Sequence, residues 1–345
     1  MKIIVDAMGG DHAPQAFLEG SFRAAQTLGV DVVLVGRVPE LLELMKQSGI
    51  DTLPRGVELM DAEDVVDMHD DPASVVRTRK NSSMVQGLRL LSDGGGDAFV
   101  SAGSTGALLS AATLVVKRIR GIRRAAFGPV IPTKTGRMVL IDSGANVECT
   151  PEFLLQFGCM GSFYAKTALD IETPRVGLLN NGAEDSKGDA LHKEAHRLLK
   201  EADERGTIRF VGNVEARDAM LGVCDVLVAD GFSGNVFLKG VEGTAMFVSS
   251  LLKKTLTKNF KTKMGALLLK KDLKQMADTL DYKKVGGTSL LGISKPVIKA
   301  HGSADAEALV SAVGQAIAAV ESGICSAIAE NIGQMSLPRG SEPNA

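Results

Sequence analysis

Five glycine-rich polar loops, most of them placed directly after a short apolar run, constrain this chain more than any other feature. They read Asp6-Ala-Met-Gly-Gly-Asp-His-Ala-Pro14, Ala102-Gly-Ser-Thr-Gly-Ala107, Asp142-Ser-Gly-Ala-Asn146, Asn180-Asn-Gly-Ala-Glu-Asp-Ser-Lys-Gly188 and Asp230-Gly-Phe-Ser-Gly-Asn235. Glycine lets backbone N–H groups approach a ligand closely, and a helix that follows such a loop turns its positive end toward an anion. One loop of this kind says little. Five of them predict a shared anion-binding cleft at the carboxyl ends of a parallel sheet.

The apolar runs support that reading. Strands are expected over 2–5, 31–35, 57–60, 98–101, 138–141, 175–179, 208–211 and 226–229. Short, continuous, β-branched runs separated by helix-length segments mark a parallel sheet covered on both faces. The expected fold is therefore a three-layer α/β/α sandwich on a mostly parallel sheet. Residues 191–202 read as a helix from their high-propensity residues, as does the alanine-rich stretch 304–332. One catalytic unit over 1–334 is expected, with 335–345 as a disordered tail.

With 45% apolar and 23% charged residues in 345, the chain has enough apolar material for a sizeable core. A net charge of −2 exerts no global pull on nucleic acid. Four cysteines without CxxC spacing read as reduced, cytosolic thiols. The first residues run straight into a strand, with neither the long apolar region nor the cleavage site of a signal peptide.

One segment departs from this balance. Residues 243–284 hold ten lysines against three acids, and Val248, Leu252, Leu256, Phe260 and Met264 recur at i, i+4. That spacing predicts an apolar helical stripe. The run Met264 to Leu269, with Leu267, Leu268 and Leu269 at its tip, is flanked by lysines. Two readings stay open for this basic amphipathic arm. It packs on the core or a dimer partner, or its tip enters an anionic bilayer surface.

Chemistry is sought in the loops. Gly9 and Gly10 permit a tight turn, Asp11 is a capping candidate, and His12 beside it is a weaker acid/base candidate. Ser104, Thr105 and Gly106 open a helix, the geometry of an anion site. Ser143, Gly144 and Asn146 follow a strand end, and so do Ser233, Gly234 and Asn235. Ser186 and Lys187 sit at a predicted helix start, where a lysine binds phosphate or polarises a carbonyl. Lys295 and His301 lie in a further glycine-rich stretch, 286–304. There is no Walker A loop, no dinucleotide fingerprint and no zinc-protease spacing, because Lys193 follows His192. No cofactor or metal is expected.

Taken together, 6–14, 102–107, 142–146, 184–188, 212–215, 230–235 and 286–304 resemble the phosphate acyltransferase family (PlsX), the acyl-carrier-protein:phosphate transacylases of bacterial phospholipid synthesis. The resemblance runs in order from Met1 to about residue 334. It implies a fold similar to isocitrate dehydrogenase and phosphotransacetylase, a homodimer, and a cytoplasmic enzyme peripherally associated with the membrane. It implies transfer of a long-chain acyl group from acyl-ACP to inorganic phosphate, giving an acyl phosphate for a downstream glycerol-phosphate acyltransferase. Lys187 and Asn235 are then assigned to the phosphate or the developing oxyanion, with Ser104, Thr105, Ser143, Gly144 and Ser233 as the cradle. Lysines of the arm become a candidate surface for the acidic carrier protein. A CoA-dependent phosphotransacetylase is the nearest alternative, followed by a metal- and NAD-dependent decarboxylating dehydrogenase and a non-catalytic membrane scaffold.

Overall fold

The computed structural model describes residues 1–280 and 286–335. Among these, twelve strands occur: β1 (Lys2–Asp6), β2 (Asp31–Gly36), β3 (Val57–Asp61), β4 (Ala98–Ser101), β5 (Ala126–Gly128), β6 (Val130–Thr133), β7 (Gly136–Ile141), β8 (Arg175–Leu179), β9 (Arg209–Val214), β10 (Val226–Val228), β11 (Gly287–Leu291) and β12 (Val297–Ala300). The helices are α1 (Gln15–Leu28), α2 (Val38–Gln47), α3 (Val75–Thr78), α4 (Ser83–Ser92), α5 (Thr105–Ala111), α6 (Pro151–Ala168), α7 (Ala190–Glu204), α8 (Ala216–Met220), α9 (Gly231–Leu256), α10 (Phe260–Leu268), α11 (Lys270–Leu280), α12 (Ala306–Glu321) and α13 (Ile324–Glu330).

The strands form two sheets where one was expected. The first has seven strands in the order β3-β2-β1-β4-β12-β11-β5, and the second has five in the order β6-β7-β10-β8-β9. Each is parallel apart from one end. There β11 runs antiparallel to both β12 and β5, and β6 antiparallel to β7. These four strands explain the difference. β5 and β6 are short and separated only by Pro129, and β11 and β12 lie in a stretch whose glycines read as loop. The chain crosses from one sheet to the other at Pro129.

Alternation along each strand divides the core. In the first sheet Ile3, Val5, Val32 and Leu34 pack against α1 and α12, while Ile4, Val33 and Val35 face α4. In the second, Val139, Ile141, Val176, Leu178 and Val228 meet α6 and α7. Met138, Leu140 and Leu227 face α8 and the start of α9. All these strand side chains are essentially inaccessible to solvent, as the continuous apolar runs require.

Two further expectations change. The apolar stripe of 248–264 is not one helix: α9 ends at Leu256, and Asn259 caps α10 by a reciprocal bond with Thr262. Residues 281–284 of the expected arm, and 336–345 of the expected tail, lie outside the described residues. Met335, read as the first residue of that tail, is instead buried against the α6 side of the second sheet.

Candidate active site

Parallel pairing gathers the glycine loops. In the first sheet β1, β4 and β12 are adjacent and parallel, so the loops at 6–14, 102–106 and 301–304 leave one edge together. They interlock there. The Asp11 N–H donates to the Gly302 carbonyl at 2.8 Å. A Cβ on Gly9 would lie 2.7 Å from the Gly103 nitrogen, and Gly10, at φ +117°, abuts Ala102. Asp6 is buried beneath, accepting from Ser101 Oγ at 2.6 Å, and Ser101 Oγ in turn accepts from the Gly103 N–H. Burial pushes the Asp6 carboxyl up, against the lowering effect of these hydrogen bonds.

The second sheet repeats the arrangement. The loops after β7, β10 and β8 leave one edge. Asp142 is fully buried and accepts from the N–H groups of Phe127, Gly144, Ala145 and Asn146. Burial raises its carboxyl as well, with the same backbone donors opposing. Asp230 caps α9 by accepting from Phe232 and Ser233 at 2.9 and 2.8 Å. A Cβ on Gly234 would overlap the Asp142 carbonyl oxygen, so glycine is required for α9 to seat on the 142–146 loop. The aspartates that open these loops are thus braces of loop shape.

Between the two edges lies a cleft of about 1150 Å³. Five of the loop residues singled out in the sequence line it: Thr105 and His301 from the first lobe, Ser143, Gly144 and Asn235 from the second. His301 Nδ1 lies 2.9 Å from Ser303 Oγ. The Ser143 hydroxyl donates to the Phe127 carbonyl at 3.3 Å.

The other expected residues stand back from the cleft wall. Gly9, Gly10, Asp11, Gly106 and Gly234 shape or seat loops. Ser104 caps α5 by accepting from the Ala107 N–H. Asn146, expected to offer its amide to the cleft, turns it inward to the Ala125 carbonyl (2.8 Å) and to Asp142 (3.0 Å). Lys295, expected in the site, donates to the Leu91 carbonyl at 2.7 Å and serves as an anchor. Ser233 lies in the first turn of α9. Ser186 and Lys187 are exposed on the loop after β8, whose strand is the neighbour of β10. His192 and His196 are engaged locally, with Asp189 and with Asn213.

Lys299 was missed. It lies at the end of β12 on the cleft wall, with Nζ donating to the carbonyls of Ala102 (3.3 Å) and Ala300 (2.5 Å). Burial pushes its ammonium down to about 8, although Asp6 and Asp11 oppose the shift. The signal was there in Pro296-Val-Ile-Lys-Ala300, a lysine inside an apolar strand pattern, but the flanking glycines made the segment read as loop. The apolar wall was missed too: Pro129, Val130 and Ile131 with Phe237 and Val241 of α9, joined by Val248, which the i, i+4 spacing places only in the stripe of the arm.

The cysteines offer no nucleophile. Burial pushes the thiols of Cys149, Cys159, Cys224 and Cys325 up to about 12, so none is a thiolate near neutral pH.

A family described as "Fatty acid synthesis protein" matches residues 1–327. The chain is 46% identical over 336 residues to a phosphate acyltransferase of Alkaliphilus oremlandii, spanning 97% of this chain and 98% of that one. It belongs to the phosphate acyltransferase family. Membership makes it an acyltransferase, and a second phosphate acyltransferase, from Bacillus licheniformis, is 44% identical across 97% of this chain and 99% of its own. Among solved structures the fold matches the EutD phosphotransacetylase of Staphylococcus aureus, with a TM-score of 0.59 and 16% identity over 94% of both chains. It also matches a 4-hydroxythreonine-4-phosphate dehydrogenase of Klebsiella pneumoniae, with a TM-score of 0.56 and 12% identity over 93% of this chain and 98% of that one. At such identities the likeness is one of fold.

Proposed function

We propose that this phosphate acyltransferase moves a long-chain acyl group from acyl-ACP to inorganic phosphate by direct attack of phosphate on the thioester. The observation that carries the reading is one cleft with two characters. A polar end assembled from both lobes, at Thr105, Ser143, Asn235 and Lys299, adjoins an apolar wall. Phosphate is largely dianionic near neutral pH and needs no strong base. The departing thiolate, from a thiol of pKa about 8.5, needs little acid assistance. An acyl-enzyme on cysteine is disfavoured because desolvation holds the thiols protonated.

What the site must supply is orientation and charge. Asn235, on the cleft wall at the start of α9, faces the phosphate or the oxyanion. Lys299 provides the charge from the first lobe. Lys187 is assigned to the same oxygens from the loop after β8, which emerges one strand spacing (about 4.8 Å) from the loop after β10. Ser104, Thr105 and Ser233 complete the cradle.

The arm is the proposed contact for membrane, carrier protein and partner subunit. Leu268 is 84% exposed and Phe260 78%, among exposed lysines at 261, 263, 270 and 271. Leu268→Glu is expected to abolish co-sedimentation with anionic vesicles. Unchanged sedimentation would remove the membrane role. The donor is tested by supplying palmitoyl-ACP or palmitoyl-CoA with phosphate. Preference for the carrier-protein thioester supports the reading, and equal or better use of the CoA thioester converts it to a phosphotransacetylase.

A further inference from the structure

Beyond Gly231 at its first position, helix α9 carries glycines at 234, 240 and 243, and they are not equivalent. Glycine is the poorest ordinary residue for a helix interior, so each one calls for a compensating reason. Gly234 has one in the Asp142 carbonyl. At Gly240 and Gly243 an added Cβ would meet nothing within 4 Å. Packing therefore does not demand glycine there, and neither position has positive φ. Gly240 lines the cleft. What its missing side chain provides is room in the cleft.

That room lies on a continuous apolar track. Phe237, Val241, Ala245 and Val248 of α9 line the cleft at spacings of three to four residues, which places them along one helical face. Pro129, Val130, Ile131 and Met220 line the same cleft, with Ile131 and Met220 in one apolar cluster with Phe237 and Val241. Phe237 and Val241 are half-buried against the second lobe, whereas Val248 is 45% exposed, so the track opens progressively from Phe237 toward Val248. From Asn235 to Val248 it runs about 20 Å, at about 1.5 Å per helical residue. An extended hydrocarbon with C–C bonds of about 1.5 Å advances about 1.3 Å per carbon, so the track matches roughly fifteen carbons. Inorganic phosphate fills only a small part of a cleft of about 1150 Å³.

We propose that the groove along α9 from Asn235 to Val248 is the acyl-chain subsite, and that Gly240 is the position that admits chains longer than about six carbons, since it lies about 7.5 Å along the helix from Asn235. The inference rests on the acyl transfer proposed above and adds where the chain lies and which residue measures it.

Substitutions at Gly240 add a side chain to open space and improve helix propensity, so the fold is retained. Phosphate-dependent turnover of hexanoyl and palmitoyl thioesters of one carrier is measured for wild type, Gly240→Ala and Gly240→Leu. In Gly240→Leu the ratio of kcat/KM for hexanoyl over palmitoyl should rise by at least about tenfold, the scale at which pockets discriminate chain length. Gly240→Ala should shift it in the same direction by less. Val248→Trp, at an exposed position, tests the far end and should disfavour palmitoyl relative to octanoyl. Folded variants that turn over both donors at the wild-type ratio would place the chain elsewhere and overturn the inference. A wild-type protein that turns over no acyl thioester with phosphate would instead overturn the acyl-transfer reading, and this inference with it.

Discussion

Lys299 and Asn146 show how little a residue's type says about its work until its partners are known. Both are polar residues at strand ends, yet one faces the cleft and the other braces a loop. Lys299 carries its charge below about pH 8 and loses it above. If that charge holds phosphate, the KM for phosphate rises as pH climbs through about 8. Lys299→Arg, which stays protonated, should remove that rise, and Lys299→Met should show a high KM throughout. A flat KM in wild type between pH 7 and 9 would free Lys299 of the role. The stability sign is opposite. Because the folded value lies below the ordinary 10.5, burying the charge costs stability below about pH 8, and the cost is relieved as pH rises toward 10.5. Lys299→Met should therefore gain most in stability at the lower pH. For Asn146→Ala the effect belongs to folding. Its amide satisfies Ala125 and Asp142, and the unpaired groups left behind should cost about 1–3 kcal/mol in chemical denaturation. Asn235→Ala and Lys187→Ala should leave stability intact and lower kcat by about 10²–10³-fold. Near-normal turnover in either variant removes that residue from the mechanism.

At the scale of elements, α9 is the joint of the site. Its first turn is capped by Asp230, seated on the 142–146 loop through Gly234, and its next turns wall the cleft. Gly234→Ala cannot keep that seating and should lower the thermal midpoint and the phosphate affinity together. An unchanged midpoint would mean that the helix end is not fixed as described. The long parallel strands were legible, because β-branched runs buried on both faces leave a continuous apolar pattern; β4 and β8 match the expected 98–101 and 175–179. The four strands at the junction were not. β5 is three residues long, β6 holds Pro132, and β11 begins at a glycine, so none carries a strand pattern strong enough to outweigh its turn residues. The site was legible to the same degree. Loops that end strands were found, but which of their side chains turn inward is set by packing across strands, and sequence spacing does not encode it.

At the scale of the molecule, two sheets meet at Pro129 and place two sets of glycine loops across one cleft. Neither lobe alone offers both the Thr105–Lys299 side and the Ser143–Asn235 side. In the proposed mechanism the loop side chains take the place of a covalent nucleophile, since hydroxyl and amide groups and one half-buried cation can orient an anion that is itself the attacking group. A single-turnover experiment reads that substitution directly. Enzyme in excess is mixed with palmitoyl-ACP, and free carrier thiol is followed with and without phosphate. Direct attack predicts no release of carrier until phosphate is added, then release matched by acyl phosphate. Release of one equivalent of carrier in the absence of phosphate, with the acyl group left on the protein, is the burst of an acyl-enzyme and would contradict it.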